Sequence, residues 1–328
     1  MKLNKRFFAL LLTLLLLVAS FAGCAKEQKA VKVALLCSGP INDGGWNTEA
    51  YNAVMKLKET HGWETTYTEN VVAADIPSTL RNYAQNGYTL IYGNGYEYGD
   101  YMLEVAKEFP DTCFFSICGV VNNDKNMGSG LFRYYELGYL CGELAARMTK
   151  TGKVGFVGAM ETPGILAEVS AFKHTVEEKV AGSNVSVAYT GSWTDVAKGY
   201  EAAVAQINAG CDILMGIGDA CDAGAIQACQ ESNGKAKFIG FASDMNYIAP
   251  DVVITSAVQS TPFMIAQVAD QFAAGKFPAA VTEYNIANGG QYFGVWAEDV
   301  DATIKQEILD LEKSIKDGTL VLDTSKWQ

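Results

Sequence analysis

Short runs of β-branched and aliphatic residues alternate along this chain with segments whose apolar positions recur every three or four residues. Val31-Lys32-Val33-Ala34-Leu35-Leu36 reads as a strand. In the segment 47–60 that follows, Ala50, Ala53, Val54 and Leu57 form one apolar stripe of a helix. Strands at 64–68, 89–92 and 113–117, with helices at 76–86 and 100–109 between them, continue the rhythm. This repetition predicts a parallel sheet with helices on both faces. The rhythm then restarts. A helix at 135–149 and the turn Thr151-Gly152 precede strands at 153–157, 186–189, 213–216 and 237–241, separated by helices at 163–180, 195–209 and 222–232. The segment Ile254 to Thr261, with a helix opening near Phe263, reads as a return crossing, and a tail helix is expected near 301–317. A chain of this length is large for one core, and two successive units predict two lobes. The expected first lobe comprises 31–134 plus about 262–280, and the second 135–261 plus about 281–328.

The first residues break the pattern. Lys2, Lys5 and Arg6 precede an almost unbroken apolar run from Phe7 to Val18, and Phe21-Ala22-Gly23-Cys24 follows. A positive start, a short apolar run and then small residues form a secretory signal. The run is shorter than the ~20 residues that span a bilayer. Phe21-Ala22-Gly23-Cys24 resembles the lipobox of bacterial lipoproteins, with Phe21 where leucine is commoner. That resemblance implies cleavage of 1–23, lipidation of Cys24, and a polar tether over 24–30. An ordinary cleavage site with an accidental cysteine is the alternative. Two or more acyl chains hold a protein stably at a membrane, so the expected location is extracytoplasmic, anchored to the cell membrane.

Charge narrows the partners. The chain carries 25 Lys and Arg against 37 Asp and Glu, a formal −12; without Lys2, Lys5 and Arg6 the balance is 22 against 37, or −15. A chain this acidic offers nucleic acid no basic patch. The cysteines are Cys24, Cys37, Cys113, Cys118, Cys141, Cys211, Cys221 and Cys229. With Cys24 lipidated an odd number remains, so complete pairing is impossible. Most lie in apolar contexts and read as small buried hydrophobes. No spacing matches a zinc site, His61 and His174 read as solvated helix positions, and no metal or cofactor is expected.

In open α/β sheets ligands bind beyond the carboxyl ends of the strands, so the strand ends are the candidate site. After the first strand comes Asn42-Asp43-Gly44-Gly45-Trp46-Asn47. Asp43 or Asn47 can accept from ligand N–H groups and Trp46 offers a flat face; equally, Asn42 or Asp43 can cap the helix while Trp46 packs in the core. The third strand ends in Gly93-Asn94-Gly95-Tyr96, too short of glycines for a dinucleotide fingerprint. Met160, Trp193, Asp219, Asp222 and Asp244 follow successive strands of the second series, and Asp195 reads as a helix cap. Trp46, Tyr96 and Trp193 are expected to meet in one cleft with Asp43, Asp219 and Asp244. No lysine or arginine accompanies these acids, which disfavours an anionic ligand and favours a flat, nitrogen-rich one.

Several of these segments together resemble the Bmp (basic membrane protein) family of substrate-binding lipoproteins. They are Asn42 to Asn47, Gly155-Phe156-Val157-Gly158-Ala159-Met160 with Pro163, Gly191-Ser192-Trp193-Thr194-Asp195, Lys198 to Glu201, Gly240-Phe241-Ala242-Ser243-Asp244 and Thr255-Ser256-Ala257-Val258-Gln259. The resemblance implies a clamshell of the type I periplasmic-binding-protein kind, with two Rossmann-like lobes, and an ABC permease as partner. It implies a purine nucleoside or purine base held between the lobes, with Asp43, Trp46, Asn47 and Trp193 on the base and Asp244 with position 259 on ribose. Gln259 stands where the family pattern has lysine, and the sequence around Asp244 is closer to a branch associated with free bases, so nucleoside and base remain level. Another small polar ligand is a third possibility. An enzyme that processes nucleosides is the alternative from a different class; against it, the acids are dispersed and no nucleophile stands beside a base.

Overall fold

The computed structural model describes residues 30–327. The lipobox, Cys24 and the signal segment lie outside the described residues.

The first lobe opens with β1 (Lys32–Cys37), α1 (Trp46–His61), β2 (Glu64–Thr68), α2 (Ile76–Gln85), β3 (Leu90–Asn94), α3 (Gly99–Val105), β4 (Cys113–Ile117) and β5 (Met127–Phe132). The second follows with α4 (Tyr134–Met148), β6 (Lys153–Gly158), α5 (Pro163–Lys179), β7 (Asn184–Tyr189), α6 (Val196–Asn208) and β8 (Ile213–Ile217). It continues through α7 (Ala220–Glu231), β9 (Lys237–Ala242) and β10 (Val253–Gln259). After these come α8 (Thr261–Ala273), β11 (Val281–Tyr284), β12 (Gln291–Phe293) and α9 (Ala302–Lys316).

Two six-stranded sheets result, ordered β2-β1-β3-β4-β5-β11 and β7-β6-β8-β9-β10-β12. Every pairing is parallel except β12, which runs antiparallel to β10. Parallel strands covered on both faces read as continuous apolar runs, and Val33–Cys37, Leu90–Tyr92, Val154, Phe156, Leu214, Phe238 and Ile239 are all fully or almost fully buried. The seven described cysteines are free; five are buried and Cys113 and Cys118 half-buried. His174 is solvated, whereas His61 is not: its ring tilts against Trp63 and Nε2 lies 3.1 Å from Asp270 on α8.

Three crossings join the lobes: β5 to α4, β10 to α8, and β11 to β12. The return crossing carries α8 onto α1 in the first lobe, where Tyr92 donates to the Ile265 carbonyl at 3.1 Å. The sequence placed everything from about 281 with the second lobe; the structure moves Val281–Tyr284 to the first. There β11 pairs with Ser129–Phe132 and covers an edge that β5 would otherwise leave open. The tail helix α9 belongs to the second lobe, burying Ile308 and Ile315 in the same core as Leu137 and Phe156.

Strand β5 had no signature in the sequence because Gly128 and Gly130 empty its pattern. A Cβ on Gly128 would stand 1.9 Å from the Pro278 carbonyl oxygen, and one on Gly130 2.4 Å from Met264 Sδ. The return segment crosses β5 so closely that side chains there have no room. At the crossings, Glu136 is buried and accepts from the Ile286 N–H at 3.0 Å and from Arg133 at 3.3 Å. The Ser260 N–H donates to the Gly290 carbonyl at 2.8 Å. The crossing strands are thus hydrogen-bonded to one another.

Candidate functional site

The carboxyl ends of both sheets frame one cavity of about 330 Å³, near the lower end of the ~300–1,000 Å³ range of small-molecule sites. Ser38, Gly39, Pro40, Asp43, Trp46, Asn47, Asn94, Gly95, Tyr96, Glu97 and Cys118 line it from the first lobe. Tyr134, Thr162, Ile165, Trp193, Thr194, Ile217, Asp219, Phe241, Ala242 and Gln259 line it from the second. Of the expected site residues, Asp43, Trp46, Asn47, Gly95, Tyr96, Trp193, Asp219 and Gln259 therefore converge.

Met160, Asp222 and Asp244 do not. Met160 is exposed on the turn before α5, where its carbonyl accepts from Thr162. Asp222 turns inward behind β8: a Cβ on Gly216 would fall 2.3 Å from its Oδ1, and burial pushes its carboxyl well above the usual range. Asp244 is occupied elsewhere, accepting from the Val295 N–H at 2.9 Å and the Asn246 N–H at 3.2 Å. It ties the segment after β12 to the loop after β9 instead of facing the cavity.

The loop before α1 shows how the site is ordered. Asp43 Oδ1 accepts from Gly45 N–H, Thr48 N–H and Thr48 Oγ1 at 2.9, 3.0 and 2.9 Å. Its Oδ2 accepts from Asn47 N–H at 2.9 Å and Asn47 Nδ2 at 2.8 Å. The carboxylate is therefore the cap of α1, answering the N–H groups that a helix start leaves unpaired. The same bonds fix the Asn47 amide, whose Oδ1 receives Asn94 Nδ2 at 3.0 Å. Asn94 is fully buried, and with its nitrogen committed, its Oδ1 has no partner among the described residues. Gln259 Nε2 is likewise buried and unpartnered among the described residues. Unmet hydrogen-bonding atoms of this kind cost about 1–3 kcal/mol each, a cost that a bound guest can remove.

Asp43→Ala is expected to lower the melting temperature by several degrees, since a cap alone contributes about 1 kcal/mol and five acceptor contacts are lost together. Thermal denaturation followed by circular dichroism checks it; an unchanged midpoint would mean that the loop is held by its glycines and Trp46 alone.

Aromatic surface comes from both sides. Trp46 donates from Nε1 to the Asn94 carbonyl at 3.3 Å, which holds the indole at the cavity wall. Trp193 stands on the loop that Asp195 ends by capping α6; it is packed on one side against the core of its own lobe, and its carbonyl accepts from Ala220. Tyr134, at the start of α4, donates to Cys118 Sγ at 3.3 Å. Tyr134 and Cys118 carry no sequence signal for the cavity, because their place in it depends on where the chain crosses between lobes. Asn94 lies at a strand end, Gly93-Asn94-Gly95, and nothing in its local pattern distinguishes it from a turn residue.

The electrostatics are one-sided. Asp43, Glu97 and Asp219 line the cavity, and no lysine, arginine or histidine is among its lining residues. Burial raises Glu97 above the ordinary carboxylate range, and burial followed by the charge of Asp43 raises Asp219 to about 7. Burial also pushes the Cys118 thiol up to about 12, which leaves it protonated and a poor nucleophile. Among the described residues no group of His, Cys, Asp and Glu is placed to hold a metal ion, and no helix is long and apolar enough to cross a membrane.

A family profile described as ABC transporter substrate-binding protein, PnrA-like (Bmp), matches residues 30–323. The chain belongs to the Bmp family. Among its relatives, the ABC transporter nucleoside-binding protein BmpA of Lactococcus lactis is 27% identical, with 97% of this chain and 99% of that protein aligned. A purine-binding protein of Brucella abortus is 34% identical over 74% of this chain and 69% of that protein. The solute-binding protein of an ABC transporter from Aeropyrum pernix superposes with a TM-score of 0.80 at 18% identity, covering 90% of this chain and 93% of that one. Two parallel-sheet lobes around one cleft are thus the architecture of this Bmp-family protein and of its structural relatives, and its class is that of a substrate-binding protein with a permease partner.

Proposed function

We propose that this Bmp-family protein is the receptor of an ABC importer for a purine, held outside the cytoplasm by lipid on Cys24. The observation that carries the reading is the pairing of Trp46 from one lobe with Trp193 from the other around a cavity with acids and no cation. Flat π-surfaces on both walls suit a flat guest, and acceptors without cations suit one rich in N–H groups. A guest held from both lobes stabilises only the closed arrangement, and a permease can read that closure.

Free base is favoured over nucleoside. Asp244, the acid that ribose recognition would need, is committed to Val295 and Asn246, and Gln259 offers an amide in place of a cation. Calorimetric titration of residues 30–328 with adenine, guanine, hypoxanthine, adenosine and inosine is expected to give saturable binding, tightest for a base. Heat from none of them would remove the purine reading and leave the family assignment untouched.

A further inference from the structure

One acid in the cleft breaks the habit of its position. Asp219 stands immediately before α7, where a carboxylate ordinarily accepts from the first turn, yet its side chain caps nothing. Its backbone holds φ 50° and ψ −116°, outside the regions that an L residue occupies without strain. The carboxylate reaches the opposite lobe instead: Oδ1 lies 3.9 Å from the point where a Cβ on Gly45 would stand. Strain of this kind persists where surroundings enforce it, and clusters where ligands are held.

The surroundings decide its chemical form. Asp43 faces Asp219 from the loop before α1, Asp222 lies behind it on α7, and Glu97, Cys118 and Tyr134 are the other titratable groups lining the cavity. None is a cation. Asp43 already collects five donors from its own loop, whereas among the described residues Asp219 has no donor to hold a charge. Of two carboxylates facing each other across a narrow gap, the less supported one keeps its proton. Two buried lining residues also carry unpartnered atoms, the acceptor Asn94 Oδ1 and the donor Gln259 Nε2.

We propose that Asp219 is the specificity-determining residue of the cleft, pairing as the carboxylic acid with an edge on which a ring nitrogen lies beside an N–H donor, as in a 6-aminopurine. This rests on the purine reading above. The acid O–H donates to the ring nitrogen while its carbonyl oxygen accepts from the amino group. The ionised carboxylate has no donor; its two oxygens suit two adjacent N–H donors, the edge of guanine. Burial and Asp43 raise the group to about 7, so the acid form prevails below that pH and the carboxylate above it. Affinity for adenine relative to guanine therefore falls as pH rises through this range.

The test is the adenine-to-guanine affinity ratio, read by tryptophan fluorescence on the wild type and Asp219→Asn. In the wild type the ratio is expected to fall about tenfold or more between about pH 5.5 and about pH 8.5. Asp219→Asn offers one donor and one acceptor at every pH, and asparagine tolerates positive φ; its ratio is expected to stay high and flat. A wild-type ratio that does not move, or one that moves equally in the variant, overturns the proposal and leaves the purine reading standing. Silence of both bases with the wild type overturns both.

Discussion

Replacing Trp193 by alanine is expected to weaken purine binding by more than tenfold while leaving a cooperative, folded protein. Base stacking on an aromatic ring contributes about 1–3 kcal/mol, and 1.4 kcal/mol is a factor of ten in affinity. The ring is half-buried, with one side on the core that holds Phe241 and Phe293 and the other at the cavity. Truncation removes part of a packing contact as well, so a fall of a few degrees in melting temperature should accompany the affinity loss. Titration and thermal melts on the same preparation separate the two. If affinity is retained and only stability drops, Trp193 is a core residue that happens to border the cleft. If Trp46→Ala shows the larger affinity loss, the first lobe carries more of the stacking than the second.

The second large effect is structural. Helices α6 and α7 touch backbone to backbone: a Cβ on Gly199 would stand 2.0 Å from the Cys221 carbonyl oxygen, and one on Gly224 2.0 Å from that of Val196. Gly224→Ala gains about 1 kcal/mol of helix propensity. Against it stands overpacking, which costs about 1–3 kcal/mol where side chains can yield and more where the obstacle is a carbonyl. Overpacking wins, and a net loss of about 2 kcal/mol is expected by urea denaturation. The Trp193 loop leads into α6 and Asp219 into α7, so spreading this pair also displaces two walls of the cleft. Affinity should fall with stability. A variant as stable as wild type would show that the two helices slide apart freely.

Much of this molecule was legible in the residues. The strands β1, β3, β6, β8 and β9 are buried on both faces, so their apolar runs have no competing explanation, and the 3,4 spacing in α1 found its limits to within a residue. What escaped was set by long-range packing. Strand β5 is glycine-rich because another segment crosses it, and β11 and β12 are too short to show a period. The site divides along the same line. Trp46, Trp193 and Asp219 follow strands, and strand ends point to the cleft by topology. Asp222 and Asp244 also follow strands, yet one folds behind β8 and the other is drawn to Val295; a residue count cannot distinguish inward from outward at a loop. For Asp43 the sequence allows either ligand acceptor or cap. Its five contacts make it the cap, and through Asn47 it also holds Asn94 at the cavity.

The edge strand β11 has a temporal consequence. Residues 281–284 complete the first sheet, yet in a chain that emerges amino end first they appear only after all of β6 to β10. The amino-terminal lobe therefore waits with the outer edge of β5 open while the carboxy-terminal lobe assembles, and an open edge is where chains adhere to one another. Chains terminated near residue 280 should aggregate even though most of the first sheet is present, and full-length chains should show both lobes consolidating in one late step.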